Sequence, residues 1–139
     1  KIAPAPPFRI CGTSRVIISQ DAIHSGDPFR IHKTSERSLY DELFRKANDL
    51  GFADAIFLNE TGEVAETAIC NLMVKKGMVW VTPEPSAGAL PGIMMRECMR
   101  RFPGRIVFGT ILAEDLKGRV LVCNSVRGIM RARIFDSTK

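Results

Sequence analysis

The side chain best placed for covalent chemistry is Lys33, in the run Ile31-His32-Lys33-Thr34-Ser35-Glu36-Arg37. An amine attacks a carbonyl only when unprotonated, so this role needs a partly dry site or a nearby cation. Arg37, four residues on, is such a cation. The plainer alternative is that Lys33 is one of twenty basic residues and points at water. Glu66 is the second candidate, because it sits among small and apolar residues in Val64-Ala65-Glu66-Thr67-Ala68-Ile69-Cys70. A carboxylate in such surroundings is costly unless a cation or a hydrogen-bond donor answers it. The third candidate is the loop from Pro83 to Gly92, which ends in Gly92-Ile93-Met94 where a helix opens. Free amides and the positive end of a helix dipole suit a phosphate there, although many such loops bind nothing. Ser125, in Asn124-Ser125-Val126-Arg127-Gly128 after a buried strand, is a further phosphate donor or else an ordinary turn serine.

These residues need elements to hold them. A first strand region falls in Phe8 to Ser19, around Arg15-Val16-Ile17-Ile18, and a short run Phe29-Arg30-Ile31 delivers Lys33. Leu39, Leu43, Phe44, Ala47 and Leu50 recur at helical steps, so a helix is expected from Ser35 or Glu36 to Leu50. Thr34 or Ser35 can cap it and Gly51 can end it, which leaves Lys33 just ahead of its first-turn amides. Ala53 to Asn59 reads as a buried strand followed by a reversal to Glu63. Val64 to Val74, a turn at Lys75-Lys76-Gly77, and Met78 to Thr82 read as an antiparallel pair. A helix from Gly92 to about Phe102 is broken by Pro103-Gly104. Arg105 to Phe108 is then a strand, Leu112 to Gly118 a helical turn, and Arg119 to Cys123 the last buried strand.

With 139 residues, 45% of them hydrophobic and 25% charged, the chain is expected to form one domain over 8–139, preceded by a linker or cut end at 1–7. No apolar run is long enough to cross a bilayer as a helix, and no start resembles a signal peptide, so a cytoplasmic location is expected. The cysteines at 11, 70, 98 and 123 show neither a CxxC nor metal-ligand spacing, which argues for reduced thiols and no metal. A net charge of +5 and a pI of 9.3 fit an enzyme of an anionic ligand at least as well as a nucleic-acid binder, whose modules are not recognisable here.

Taken together, His32-Lys33-Thr34 with Arg37, the run Phe57-Leu58-Asn59-x-x-Gly62-Glu63-Val64-x-Glu66-x4-Asn71-Leu72, Leu90-Pro91-Gly92-Ile93-x-x-Arg96, Glu114-Asp115-Leu116 and Asn124 to Gly128 resemble the class IV (fold type IV) pyridoxal-phosphate enzymes. The likeness spans roughly residues 29 to 134 and is closest to aminodeoxychorismate lyase, including lyase domains fused to a synthase. It implies an α/β (α+β) fold, the large C-terminal domain of that family, with a barrel-like mixed sheet and flanking helices. It also implies that Lys33 forms the Schiff base with pyridoxal 5'-phosphate and then acts as general base. Glu66 would face the pyridine nitrogen, Gly92, Ile93, Met94 and Ser125 would hold the phosphate, and Asn71 would stand in the same wall. Two departures follow: Met94 stands where the aminotransferase branch often has threonine, and Ser38 where it has a tyrosine against the cofactor. The implied reaction converts 4-amino-4-deoxychorismate to 4-aminobenzoate and pyruvate for folate synthesis. The implied partners are a small amino substrate, a second copy in a homodimer, and a missing N-terminal or fused synthase domain. The alternatives are a branched-chain or D-amino-acid aminotransferase, a non-catalytic fragment of the same fold, and a basic nucleic-acid module.

Overall fold

The structure, a computed structural model, describes residues 9–20, 22–23, 38–89 and 92–136. Its strands in chain order are β1 (Thr13–Ile18), β2 (Asp54–Leu58), β3 (Val64–Thr67), β4 (Asn71–Lys76), β5 (Val79–Pro83), β6 (Ile106–Gly109), β7 (Val120–Asn124) and β8 (Gly128–Asp136). Its helices are α1 (Ser38–Asp49) and α2 (Ile93–Arg101), with short 3-10 turns at Pro85–Ala87 and Ala113–Lys117. All eight strands form one sheet in the order β3-β2-β1-β8-β7-β4-β5-β6. It is mixed: β1 runs parallel to β2 and β8, and β5 parallel to β6, while the remaining neighbours are antiparallel.

The alternation of side chains decides how this sheet curls. Leu72 and Val74 on β4, Val120 and Val122 on β7, and Val16 on β1 all turn to the inner cluster. Met73, Leu121 and Cys123 face the other way, onto Met95 and Cys98 of α2. Ala55 and Phe57 on β2 likewise face out, onto Leu43 and Ala47 of α1. A sheet with an apolar inner face must wrap that face away from water, and here its two ends approach. The Val64 amide donates to the Ile111 carbonyl at 2.7 Å, and Glu63 bridges Leu112. The result is the expected barrel-like mixed sheet with flanking helices. Helix α1 shows the expected period of Leu43, Phe44 and Ala47, and ends where Gly51 takes a φ of 90° that side chains resist.

Two expectations fail. Val64 to Val74 is not one strand, because the chain turns at 67–70 and β3 pairs with β2 while β4 pairs with β5 and β7. That turn holds no Gly, Pro, Asn or Asp and is stabilised by Asp54 from outside the segment, so a local signal for it is absent. Lys75 and Lys76 therefore belong to β4, and the reversal falls at Gly77 and Met78. Nor is β7 the last strand. Nine-residue β8 follows it and lies between β1 and β7 near the middle of the sheet. Its signal was present: Met130, Ala132 and Ile134 alternate with Arg131 and Arg133, and the three apolar ones join the inner cluster. Among the described residues, no helix is long and apolar enough to cross a membrane.

Candidate functional site

β3 and β7 end, and β4 begins, at one rim of the sheet, where Asn71 pairs with Cys123. Asn124 ties this rim together. Its Nδ2 donates to the Ile69 carbonyl at 3.0 Å, and its Oδ1 accepts the amides of Val126 at 3.0 Å and Arg127 at 2.7 Å. An asparagine that bonds its own following amides fixes a turn. Ser125 is carried on that turn, exposed to solvent.

Glu66 lies one residue before the end of β3 and is only 6% exposed. Its cross-strand partner is Phe57. Tyr40 reaches it from α1, donating its phenolic hydroxyl to Oε1 at 3.0 Å. The Tyr40 ring meets Phe57 edge-on, with centroids 5.0 Å apart. The acid that the sequence flagged as costly is therefore buried and answered by a hydrogen bond, as the cost of burying it requires. Sequence reasoning passed over Tyr40. The signal that could have found it is its spacing from Leu43, Phe44 and Ala47, which puts it on the sheet-facing side of α1.

Gly92 is the extended residue before α2, and no side-chain cap bond is recorded there among the described residues. The first bond of the helix runs from the Arg96 amide to the Gly92 carbonyl at 3.1 Å, so the amides of Ile93 and Met94 precede the helical ladder. Ile93 is 75% exposed, and Met94 is half-buried against the α2 cluster. Asn71 packs directly on Gly92: an ideal Cβ at that position would run into its Oδ1. A side chain at 92 would thus displace Asn71. Beside it, a pocket of about 20 Å³ lined by Asn71, Thr82, Met95 and Arg96 has room for about one water and not for an aromatic ring.

Asn71 and Gly92 are therefore in contact, and Asn124 links the Ser125 turn to the segment between Glu66 and Asn71. Lys33 lies outside the described residues, as do His32, Thr34, Arg37, Leu90 and Pro91. The rim also contains Asp54, which sequence reasoning read as part of a strand. Its Oδ1 accepts the amides of Ala55 at 2.8 Å, Ala68 at 3.0 Å and Ile69 at 3.3 Å, and its Oδ2 accepts the Thr67 hydroxyl. Burial pushes this carboxyl up from 3.8 to about 6 against the pull of those bonds. Burial, with Asp54 beside it, pushes the Cys70 thiol up to about 12, so it is no nucleophile at neutral pH.

A curled mixed sheet with a helix on each outer side, a buried acid at its rim and an open helix start nearby define a class of protein. The chain belongs to the amino-transferase class IV family, whose pattern matches residues 2–135. A candidate amino-acid aminotransferase from Mesorhizobium loti is 27% identical and superposes with a TM-score of 0.81 over 95% of this chain and 64% of that one. A candidate 4-amino-4-deoxychorismate lyase from Legionella pneumophila is 22% identical, with a TM-score of 0.81 over 94% of this chain and 50% of that one. An uncharacterized protein from Haemophilus influenzae is 29% identical over 99 residues, 70% of this chain and 49% of that protein. The chain thus spans about half the length of that curated relative.

Proposed function

We propose that this chain is the cofactor-binding domain of a pyridoxal-phosphate lyase that converts 4-amino-4-deoxychorismate to 4-aminobenzoate and pyruvate. Members of the class IV family bind this cofactor. When bound, it supplies an electron sink for the carbon next to the substrate nitrogen. The observation that carries the reading is Glu66, an acid buried at the rim and bonded by Tyr40. An acid kept there at a cost suits a cationic ring nitrogen, because the pair offsets what either charge would lose alone. The open start of α2 supports a phosphate subsite, with the Ile93 and Met94 amides as donors and Gly92 allowing close approach past Asn71. Ser125, exposed on the adjoining turn, adds a hydroxyl. Lys33 takes the roles of covalent anchor and of the base that moves the substrate proton, and Asn71 supports the phosphate wall.

The choice of lyase rests on the His32-Lys33-Thr34 and Asn124 to Gly128 motifs. A class IV aminotransferase is the second reading, favoured by the 27% identity to the Mesorhizobium loti chain, and it uses the same residues. In either case the domain would work with a further domain and a second copy of itself.

The test is direct. Protein incubated with pyridoxal phosphate and then borohydride should carry the reduced adduct on the Lys33 peptide. A colourless protein with no adduct rejects the reading. Pyruvate released from 4-amino-4-deoxychorismate supports the lyase. Glutamate formed from a branched-chain amino acid and 2-oxoglutarate supports the aminotransferase instead.

A further inference from the structure

We propose that Tyr40 is the positioning residue for Glu66, holding its carboxylate in the orientation from which it answers a protonated ring nitrogen. The inference rests on the cofactor site proposed above. Three features on three elements carry it. The phenol donates to Oε1 at 3.0 Å. Its ring is set edge-on against Phe57, the cross-strand partner of the same glutamate. Helix α1 is itself anchored by Leu43 and Ala47, both buried against the outer face of β2 and β3. The phenol is therefore held from the helix side and from the sheet side, and the carboxylate it bonds inherits that placement.

The chemistry of the donor matters as much as its position. A lysine or arginine here would pair with the acid and compete with a cationic ring for its charge. A phenol bonds the carboxylate without bringing a positive charge of its own. A neutral donor is thus suited to an acid whose charge is meant for a ligand. The hydroxyl acts on the ring through Glu66, so its removal should alter the proton affinity of the ring.

Tyr40 is the chain's single tyrosine, which provides a readout free of cofactor. In the full chain, ultraviolet titration of the phenol should show ionisation at higher pH in the wild type than in Glu66→Gln, because a phenolate facing a carboxylate is repelled. Equal curves would overturn the proposal, and this comparison stands even if Tyr40→Phe fails to fold. The second measurement loads wild type and Tyr40→Phe with pyridoxal phosphate labelled with nitrogen-15 in the ring, and follows that nitrogen by NMR against pH. Loss of one hydrogen bond to a charged group should lower its proton affinity about tenfold. If the wild type shows the Lys33 adduct but both nitrogens titrate alike, Tyr40 is structural only and the proposal falls while the cofactor site stands. If the wild type takes up no cofactor, the site itself falls and the proposal with it.

Discussion

Asp54 and Glu66 are buried carboxylates on neighbouring strands, and the molecule keeps them in opposite ways. Asp54, at the start of β2, is 1% exposed and its donors are the next amide and the turn that joins β3 to β4. The Thr67 hydroxyl has one proton and two acceptors within reach, Asp54 Oδ2 and the Cys70 carbonyl. A protonated Asp54 resolves that competition, since it can donate to Thr67 while Thr67 donates to Cys70. Burial, which pushes this carboxyl up to about 6, favours the same arrangement. Glu66 instead is met by a phenol on a helix outside the sheet. The contrast separates an acid that closes a turn from an acid bonded by a side chain of a helix outside the sheet, and the predictions on Asp54 and Glu66 below test its two sides. They are ordered by expected effect on the stability of the fold.

Asp54→Ala should be the most damaging. It takes the acceptor from the amides of Ala55 and Ile69, at about 1–3 kcal/mol each, while the Ala68 amide keeps the Ala55 carbonyl and the Thr67 hydroxyl keeps the Cys70 carbonyl, so a loss of a few kcal/mol is expected in denaturant unfolding. That is a large part of an ordinary domain's stability. A loss below about 1 kcal/mol would show that the turn is held by something other than this acid. Asp54→Asn should behave differently, because its amide nitrogen can donate where the protonated carboxyl does. The sign of the pH effect follows from the raised folded value. The protonated acid is favoured by folding, so the wild type has this contribution in full below about 3.8 and loses it as pH rises through about 6. For a shift of that size the fall is about 3 kcal/mol. Unfolding curves at a series of pH values should show the slope in wild type and its absence in Asp54→Asn. A parallel slope in both assigns it to another group.

How much of this was legible in the sequence differs between the two acids. Glu66 stood out because a charge in an apolar run is expensive, and the structure buries it and answers it. Asp54 did not stand out, because a strand-opening aspartate next to turn residues is unremarkable until the turn it serves is known. That turn, at 67–70, is built from Thr, Ala, Ile and Cys and is specified by a carboxylate more than ten residues earlier in the chain. No local rule encodes such a partner, so Val64 to Val74 read as one strand. The helices fared better, since Leu43, Phe44, Ala47 and the positive φ of Gly51 are local signals. β8 was equally local and was passed over because its turn looked like an end. The phosphate-binding expectation at Gly92 corresponds to an open helix start, which Gly and Pro spacing can indicate. Its contact with Asn71 is tertiary and could come only from the structure.

Gly92→Ala should have an intermediate effect. The new methyl group collides with Oδ1 of Asn71, while the Gly92 backbone, with φ of −73° and ψ of 153°, is open to alanine. The cost is therefore steric and resides in Asn71, about 1–2 kcal/mol by analogy with overpacked sites. Much of it should return in the Asn71→Ala background, where the obstructing amide is gone. Thermal unfolding of the two single variants and the double variant measures this coupling. Simple additivity would show that the start of α2 moves instead of Asn71, and that the two do not form one wall.

Glu66→Gln should disturb the fold least. The glutamine carbonyl still accepts the Tyr40 hydroxyl, its volume is unchanged, and no strand pairing is altered, so the change in unfolding free energy should stay within about 1 kcal/mol. Its effect on chemistry should be of another order. An amide cannot balance a cationic ring, and loss of a group that stabilises developing charge costs about 100-fold or more in turnover. Measured on cofactor-loaded protein, a large fall in turnover with near-native stability is the signature of an acid kept for a ligand. Stability loss comparable to that of Asp54→Ala would mean that both acids serve the fold, and that the rim holds two structural carboxylates in place of one.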